Sequence, residues 1–518
     1  MVSAVREFVL LDGARALGDD LPLADAAPFT IAGAGRSRTV RRTWLDTFDW
    51  RLYRAGLTLE LLAGRGVTEL VLTGRDGELA AADPAPGGLR LPCLVDHLPF
   101  GPLRERLAPV AGVRALLPVA KGTSVLTDRR ALNSDDKTIA IVTFDAMTAS
   151  GSHADVPVRV AIRPLRGYQP QADRLADALA GAPGVAVAAH SPFETALAAA
   201  GRKAGDYSSK INVELTADMP AALAVVVVLR RLFDTAQANV AGTIGDVDTE
   251  FLHDLRIAVR RTRSVLKLAG SVLPGRVVVG YRPEFKWLGD LTTPTRDLDV
   301  YLLGYESMAS TLIAGTEQEL RPFHDYLARQ RATAQRALAR GLRSARYTSL
   351  AARWRAELEQ VARAAAGKPA AGKFAAGRIA RAHRRVLHDG AAIGPASPPA
   401  ALHDLRKRCK ELRYLLEVFA SLHGQAEQWR AINELKALQD CLGEFQDADV
   451  QFAELRAFAE RMMAGGEAPA PTLLAMGEIG AGLALRQRAA RGEFADRFAE
   501  FSSPRGQARI EALTKAAP

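Results

Sequence analysis

Cysteine is scarce in this chain of 518 residues: only Cys93, Cys409 and Cys441 occur. Odd in number and far apart, they build no disulfide framework and offer no metal-ligand spacing, and they suit a reducing cytoplasm. Aromatic residues make up only 6%. Neither basic line described below is interleaved with aromatics, which argues against a base-stacking nucleic-acid platform. Long apolar runs are missing too. The longest, AALAVVVVL at 221–229, stops at Arg230 and Arg231 and reads as part of a buried helix rather than a bilayer span. The stretch MVSAVREFVLLDGARALGDD at 1–20 has no long apolar h-region and no cleavage signature. The expectation is therefore a cytoplasmic protein with no membrane insertion.

What is present is apolar residue and positive charge. At 48% hydrophobic residues the chain can bury real cores, and its length predicts two to four domains. Net charge is +10, unevenly spread. Residues 1–217 hold 25 Lys and Arg against 24 Asp and Glu, whereas residues 218–518 hold 43 against 34. An anionic partner is expected on the second part.

The two parts also differ in pattern. The first reads as strands with turns: RRTWLDTFDWRLYRAGLTLELLAG, VTELVLTGRDGEL, TIAIVTFDAMTA (138–149) and DVPVRVAIRPLRG carry β-branched and aromatic runs punctuated by Gly, Asp and Pro. A helix is predicted at 171–182, ending on Gly181. This is an α+β domain with a mostly antiparallel sheet. From about residue 218 strand signals vanish, and Ala/Leu/Arg/Glu-rich segments with a 3.6-residue period predict an all-α domain. Its breaks fall at SVLPGR (271–276), RAAAGKPAAGKFAAG (363–377), IGPASPPA (393–400) and AGGEAPAPT (464–472).

The all-α part repeats itself at an offset of 150. FLHDLRIAVRRTRSVLKLAG (251–270) is answered by ALHDLRKRCKELRYLLEVFA (401–420), and Lys286, Asp290, Asp297 and Asp299 recur as Lys436, Asp440, Asp447 and Asp449. This predicts an internal duplication with pseudo-twofold symmetry, each half roughly a four-helix bundle. On a helix, His253, Arg256, Arg260, Arg263 and Lys267 fall within an arc of about 80°. Leu255, Val259, Thr262 and Leu266 gather on the opposite, apolar face. The second copy aligns His403, Arg406, Lys410 and Arg413 opposite Leu405, Cys409, Leu412 and Leu416, with Glu417 standing where the first copy has Lys267. Asp248 and Thr249 can start the first helix; Ser397 with Pro398 and Pro399 can start the second.

Like charges at i,i+3 and i,i+4 destabilise an isolated helix, so stability alone does not explain such a line. One reading is a solvated face with acidic partners on a neighbouring helix. The other is a surface for a linear polyanion, with arginine forks and lysine point charges on phosphate oxygens. His253 and His403 are either tolerated near a helix start or donate to phosphate when protonated. The two D-x-D pairs suggest Mg²⁺, or else helix caps or partners for the arginines.

LHDLR followed by spaced arginines, LRYLLEVF in the second copy and RDLDV after the first closely resemble the CHAD family over about residues 218–510. The resemblance implies two pseudo-symmetric four-helix bundles around a shared basic surface that binds inorganic polyphosphate, with some members associated with polyphosphate granules. It carries over to His253, Arg256, Arg260, Arg263, Lys286, His403, Arg406, Lys410, Arg413 and Lys436; Arg261, Lys267 and Lys407 complete the candidate set. The first part, through WLDTFDWRLYRAGLTL (44–59), SVLTDRR and IAIVTFDAMTA, looks like a CYTH domain, which implies a β-barrel-like triphosphate tunnel. Catalytic members hydrolyse triphosphates with divalent metal held by glutamates. Here the expected N-terminal E-x-E-x-K is replaced by REFVLL with only Glu7, the next strand reads LELLAG without its arginine, and VRVAIRPL (158–165) has no carboxylate. The expected arrangement is a catalytically degenerate CYTH-like domain at 1–205, a linker at 206–217, and a CHAD domain at 218–510 with repeats at 218–362 and 373–510. No catalytic residue, metal site or cofactor is expected, with Mg or Mn needed only if the first domain is active. Partners are polyphosphate or other phosphate polyanions. The competing functions are a triphosphatase or polyphosphatase and a non-specific nucleic-acid binder.

Overall fold

The computed structural model describes residues 6–11, 29–32, 35, 37–64, 66–75, 77–150, 156–365, 367 and 369–515. Most of the stretch read for a leader, and Ala366 and Lys368 in the break at 363–377, lie outside them. The chain divides into two compact units, Met1–Ser208 and Ser209–Pro518.

The first unit is built on an antiparallel sheet. Its main path runs β11 (Val185–Val187), β1 (Arg6–Leu10), β10 (Arg159–Pro164), β9 (Thr138–Ala149), β8 (Ala115–Leu132), β3 (Ser37–Asp46), β4 (Leu57–Ala63), β5 (Thr68–Gly74) and β6 (Leu79–Pro84). The short β2 (Thr30–Ala32) and β7 (Cys93–Leu94) pair with β8. The barrel-like expectation is corrected here: the path is open, and among the described residues no pairing joins β11 to β6. Helix α2 (Pro102–Ala111) lies against β6, and α3 (Gln169–Ala180), the helix predicted from the sequence, lies against β11. The run from Trp44 to Ala63 is not all strand. It is interrupted by a helical turn, α1 (Arg51–Arg54), because the buried Asp46 carboxylate accepts from the backbone N–H groups of Thr47, Leu52 and Tyr53 at 2.7–3.0 Å. Burial pushes that carboxyl up to about 6. A further helix, α4 (Pro192–Ala199), starts at a capping box of Ser191 and Glu194.

Strand alternation gives this sheet two different faces. Phe8, Val142, Phe144, Val160 and Ile162 pack against Leu175 and Leu179 of α3. The alternate positions carry Glu7, Arg42, Asp145 and Arg159.

The second unit is helical: α5 (Ala221–Ile244), α6 (Thr249–Leu268), α7 (Gly275–Leu303), the short α8 (Tyr305–Ala309), α9 (Glu317–Arg343) and α10 (Ala345–Ala364), then α11 (Ala371–Ala391), α12 (Pro399–Val418), α13 (Gln425–Ala464), α14 (Ala470–Phe501) and α15 (Pro504–Ala512). Helices α11, α12 and α13 each begin 150 residues after α5, α6 and α7. The copies diverge at Gly304, which ends α7, whereas Glu454 at the matching position lets α13 continue. Among the described residues no helix is long and apolar enough to cross a membrane.

All eight residues predicted for the apolar faces of α6 and α12 are buried, from Leu255 and Leu405 to Leu266 and Leu416. All but Thr262 join one continuous core with residues of α5, α7, α10, α11 and α13, so the two halves share an interior. A second shared cluster joins Leu298, Phe323 and Leu327 to Phe458, Met462 and Ile479. The starts of α5 and α11 are tied together as well. Pro220 bridges Ala370, its counterpart at the repeat offset, with Ala221 N–H donating to Pro369 at 2.9 Å and Ala371 N–H to Met219 at 2.8 Å.

Candidate anion-binding groove

Helix α6 starts where Asp248 accepts from the N–H groups of Glu250 (2.9 Å) and Phe251 (3.2 Å). Helix α12 starts differently from the expectation. Pro398 holds its N-cap, while the Ser397 hydroxyl accepts from Gly394 N–H in the preceding loop. With their apolar faces in the common core, α6 and α12 lie side by side.

Two ion pairs join them. Arg261 donates to Glu417 at 2.7 Å, and Lys267 pairs with Glu411. Under the repeat offset Arg261 corresponds to Glu411 and Lys267 to Glu417, so the two bridges are the same contact taken from either side, with the charges exchanged. That reciprocity is the mark of a two-fold interface. Glu417 also accepts from Arg413 at 2.8 Å and so holds one arginine from each repeat.

Above these bridges opens a groove of about 620 Å³. Arg260, Arg263 and Lys267 of α6 line it with Lys407 and Lys410 of α12 and with Arg282 and Lys286 of α7. Its one lining carboxylate, Glu411, is already engaged by Lys267. No ion pair holds Arg260, Arg263, Arg282 or Lys410 among the described residues. Burial, then Arg406 and Arg260, pushes the Lys410 ammonium down to about 8. Arg263 lies over Gly289, where a β-carbon would stand 2.8 Å from its guanidinium. In the second copy Arg413 reaches the matching residue, Gln439, at 3.2 Å.

The other sequence-predicted residues sit outside this groove. Arg256 is half-buried, donating to Thr293 with Asp297 at 3.8 Å; Arg406 donates to Gln446 at 2.8 Å and Asp447 at 3.0 Å. His253 is half-buried, and burial followed by Arg296 pushes its imidazole below the ordinary value. His403 lies 3.4 Å from Asp449, and Lys436 is exposed on α13. The D-x-D pairs lie within α7 and α13 rather than capping them. Asp297 and Asp447 face arginines of the lines, buried Asp299 accepts from Arg331 at 2.8 Å, and Asp449 accepts from Gln487 at 2.6 Å. Among the described residues no three His, Cys, Asp or Glu side chains cluster as metal ligands. Arg282 was missed from sequence because its counterpart is Ile432, so the repeat does not mark it; its spacing of four from Lys286 was the available signal.

In the first unit, carboxylates from three strands meet arginines. Arg42 donates to Glu60 and, at 2.8 Å, to Asp145, while Arg159 donates to Glu7. Burial works against the Arg42 charge, but Glu60 and Asp145 more than offset it and hold its pKa above the ordinary value.

Among solved structures, the chain is similar to the CHAD domain from the plant Ricinus communis (24% identity, 60% of this chain and 97% of that one, TM-score 0.44) and to PptA from Streptomyces chartreusis (19%, 54% and 99%, TM-score 0.42). No curated protein matches it. Residues 227–456 match the CHAD domain family, and the chain thus carries a CHAD domain in its helical unit.

Proposed function

We propose that the protein binds inorganic polyphosphate through the groove between α6, α7 and α12, and that it associates with polyphosphate granules in the cytoplasm. The observation that carries this reading is the convergence of Arg260, Arg263, Arg282 and Lys410 without carboxylate partners, around a single glutamate that is already paired. Cations crowded in this way repel one another, and a polyanion relieves the repulsion while receiving charge-assisted hydrogen bonds. One aromatic, Tyr414, lines the groove among seven cations, which is no platform for stacking successive bases and favours phosphate as the recognised group. The first unit serves as a CYTH-like scaffold without catalytic activity, since Glu7, Glu60 and Asp145 are occupied by Arg159 and Arg42 rather than free to hold a metal.

The test is a competition at physiological salt on the full chain. Long-chain polyphosphate is expected to displace single- and double-stranded DNA; preferential binding of DNA would overturn the reading. Phosphate release from tripolyphosphate with Mg²⁺ or Mn²⁺ would overturn the non-catalytic assignment of the first unit.

A further inference from the structure

A second basic surface lies beside the groove, on a helix that bears no part of the repeated motif. Arg378, Arg381 and Arg385 of α11 are spaced by three and four residues and so share one face. With Arg408 of α12 they rim a shallow depression floored by Leu268, Ala382 and Leu415. Arg381 and Arg385 are exposed, and no ion pair holds them among the described residues. Arg378 donates to the Ser271 hydroxyl just beyond α6 and stacks on Phe374 at 5.1 Å. Burial, then Arg381 and Arg385, holds its pKa below the ordinary guanidinium value.

The depression and the groove share a border residue, Glu411. Its carboxylate is paired with Lys267 on the groove side and lies 3.6 Å from Arg408 on the other. Neutralised from both sides, it presents no barrier to an anion passing from one basic surface to the other. The repeat accounts for only one member of this row. At the offset of 150, Arg381 corresponds to Arg231 of α5, but Arg378 and Arg385 correspond to Val228 and Thr235, so two of the three charges are particular to α11.

We propose that the anion path continues past Glu411 onto α11, where Arg378, Arg381 and Arg385 hold a second segment of the same polyphosphate chain. The inference rests on the proposed polyphosphate binding and adds a selection for length. A short anion is satisfied in the groove, whereas a long chain engages both surfaces, the second at high effective concentration.

The experiment compares tripolyphosphate and long-chain polyphosphate binding to the full chain, using Arg381→Gln/Arg385→Gln and Arg260→Gln/Lys410→Gln double variants, with circular dichroism to verify folding. The α11 variant is expected to lose roughly tenfold in affinity for the long chain, with a shallower salt dependence, and to bind tripolyphosphate as the parent protein does. The groove variant is expected to weaken toward both ligands, by about tenfold for the long chain. If the α11 variant bound long chains unchanged while the groove variant failed, the extension would be wrong and the groove would stand. Unchanged binding by the groove variant would sink the underlying reading. An equal loss of both ligands in the α11 variant would make the row part of one undivided site and overturn the length selection.

Discussion

Arg260 of the first repeat and Lys410 of the second are counterparts at the repeat offset, and they face each other across the groove, close enough for Arg260 to depress the Lys410 pKa. The pseudo-twofold relation therefore passes between them, and each repeat contributes the same position to one site.

Neutralising this pair should remove the centre of the site. Arg260→Gln together with Lys410→Gln is expected to weaken long-chain polyphosphate binding about tenfold, with most of the loss recovered at low salt. Titration calorimetry at two ionic strengths checks it. Thermal unfolding should hardly change, since neither residue is held in an ion pair.

Lys410 also predicts a pH dependence. Its folded pKa of about 8 lies below the value for an unfolded lysine, so the folded state releases its proton first and stability rises with pH between 8 and the unfolded value. A bound polyanion favours the protonated form, so binding near pH 8 should take up protons, and affinity should fall from pH 7 to pH 9. Lys410→Arg, which stays charged, should flatten that decline. Binding measured in buffers of differing ionisation enthalpy reports the proton uptake.

Glu417 is predicted to be structural. Glu417→Gln leaves Arg261 and Arg413 without their carboxylate and should destabilise the helical unit by about 1–3 kcal/mol. Urea unfolding followed by helical circular dichroism measures the loss, and polyphosphate affinity should not fall with it.

In the first unit, Glu60→Gln removes one of the two carboxylates around the largely buried, 13% exposed Arg42 side chain and should destabilise the sheet by about 3 kcal/mol. Because the two units need not unfold together, hydrogen exchange of β3, β4 and β9 is the appropriate readout.

Much of the helical unit was legible in the sequence. The offset of 150, the buried faces from Leu255 to Leu416 and the cations opposite them all follow from local periodicity, which a helix converts directly into geometry. Periodicity could not say that Glu411 and Glu417 would meet Lys267 and Arg261 of the other repeat, because that depends on how α6 and α12 dock. Nor could it separate Arg260 and Lys410, which line the groove, from Arg256 and Arg406, which turn toward Asp297 and Asp447. In the first unit the strand of 138–149 and the helix ending at Gly181 were readable. The open sheet was not, because edge closure depends on partners remote in sequence.

The bridge between Pro220 and Ala370 has a consequence for the kind of ligand the domain suits. Equivalent residues meet there, as they do at Arg260 and Lys410, so this central pair presents related contacts to a chain running either way, while Arg282 and Lys286 line the groove from one repeat only. A nucleic acid strand has a 5′ and a 3′ end and would meet the two repeats in opposite senses. Linear polyphosphate reads the same from both ends, so either direction of entry brings the same phosphate groups to Arg260 and Lys410.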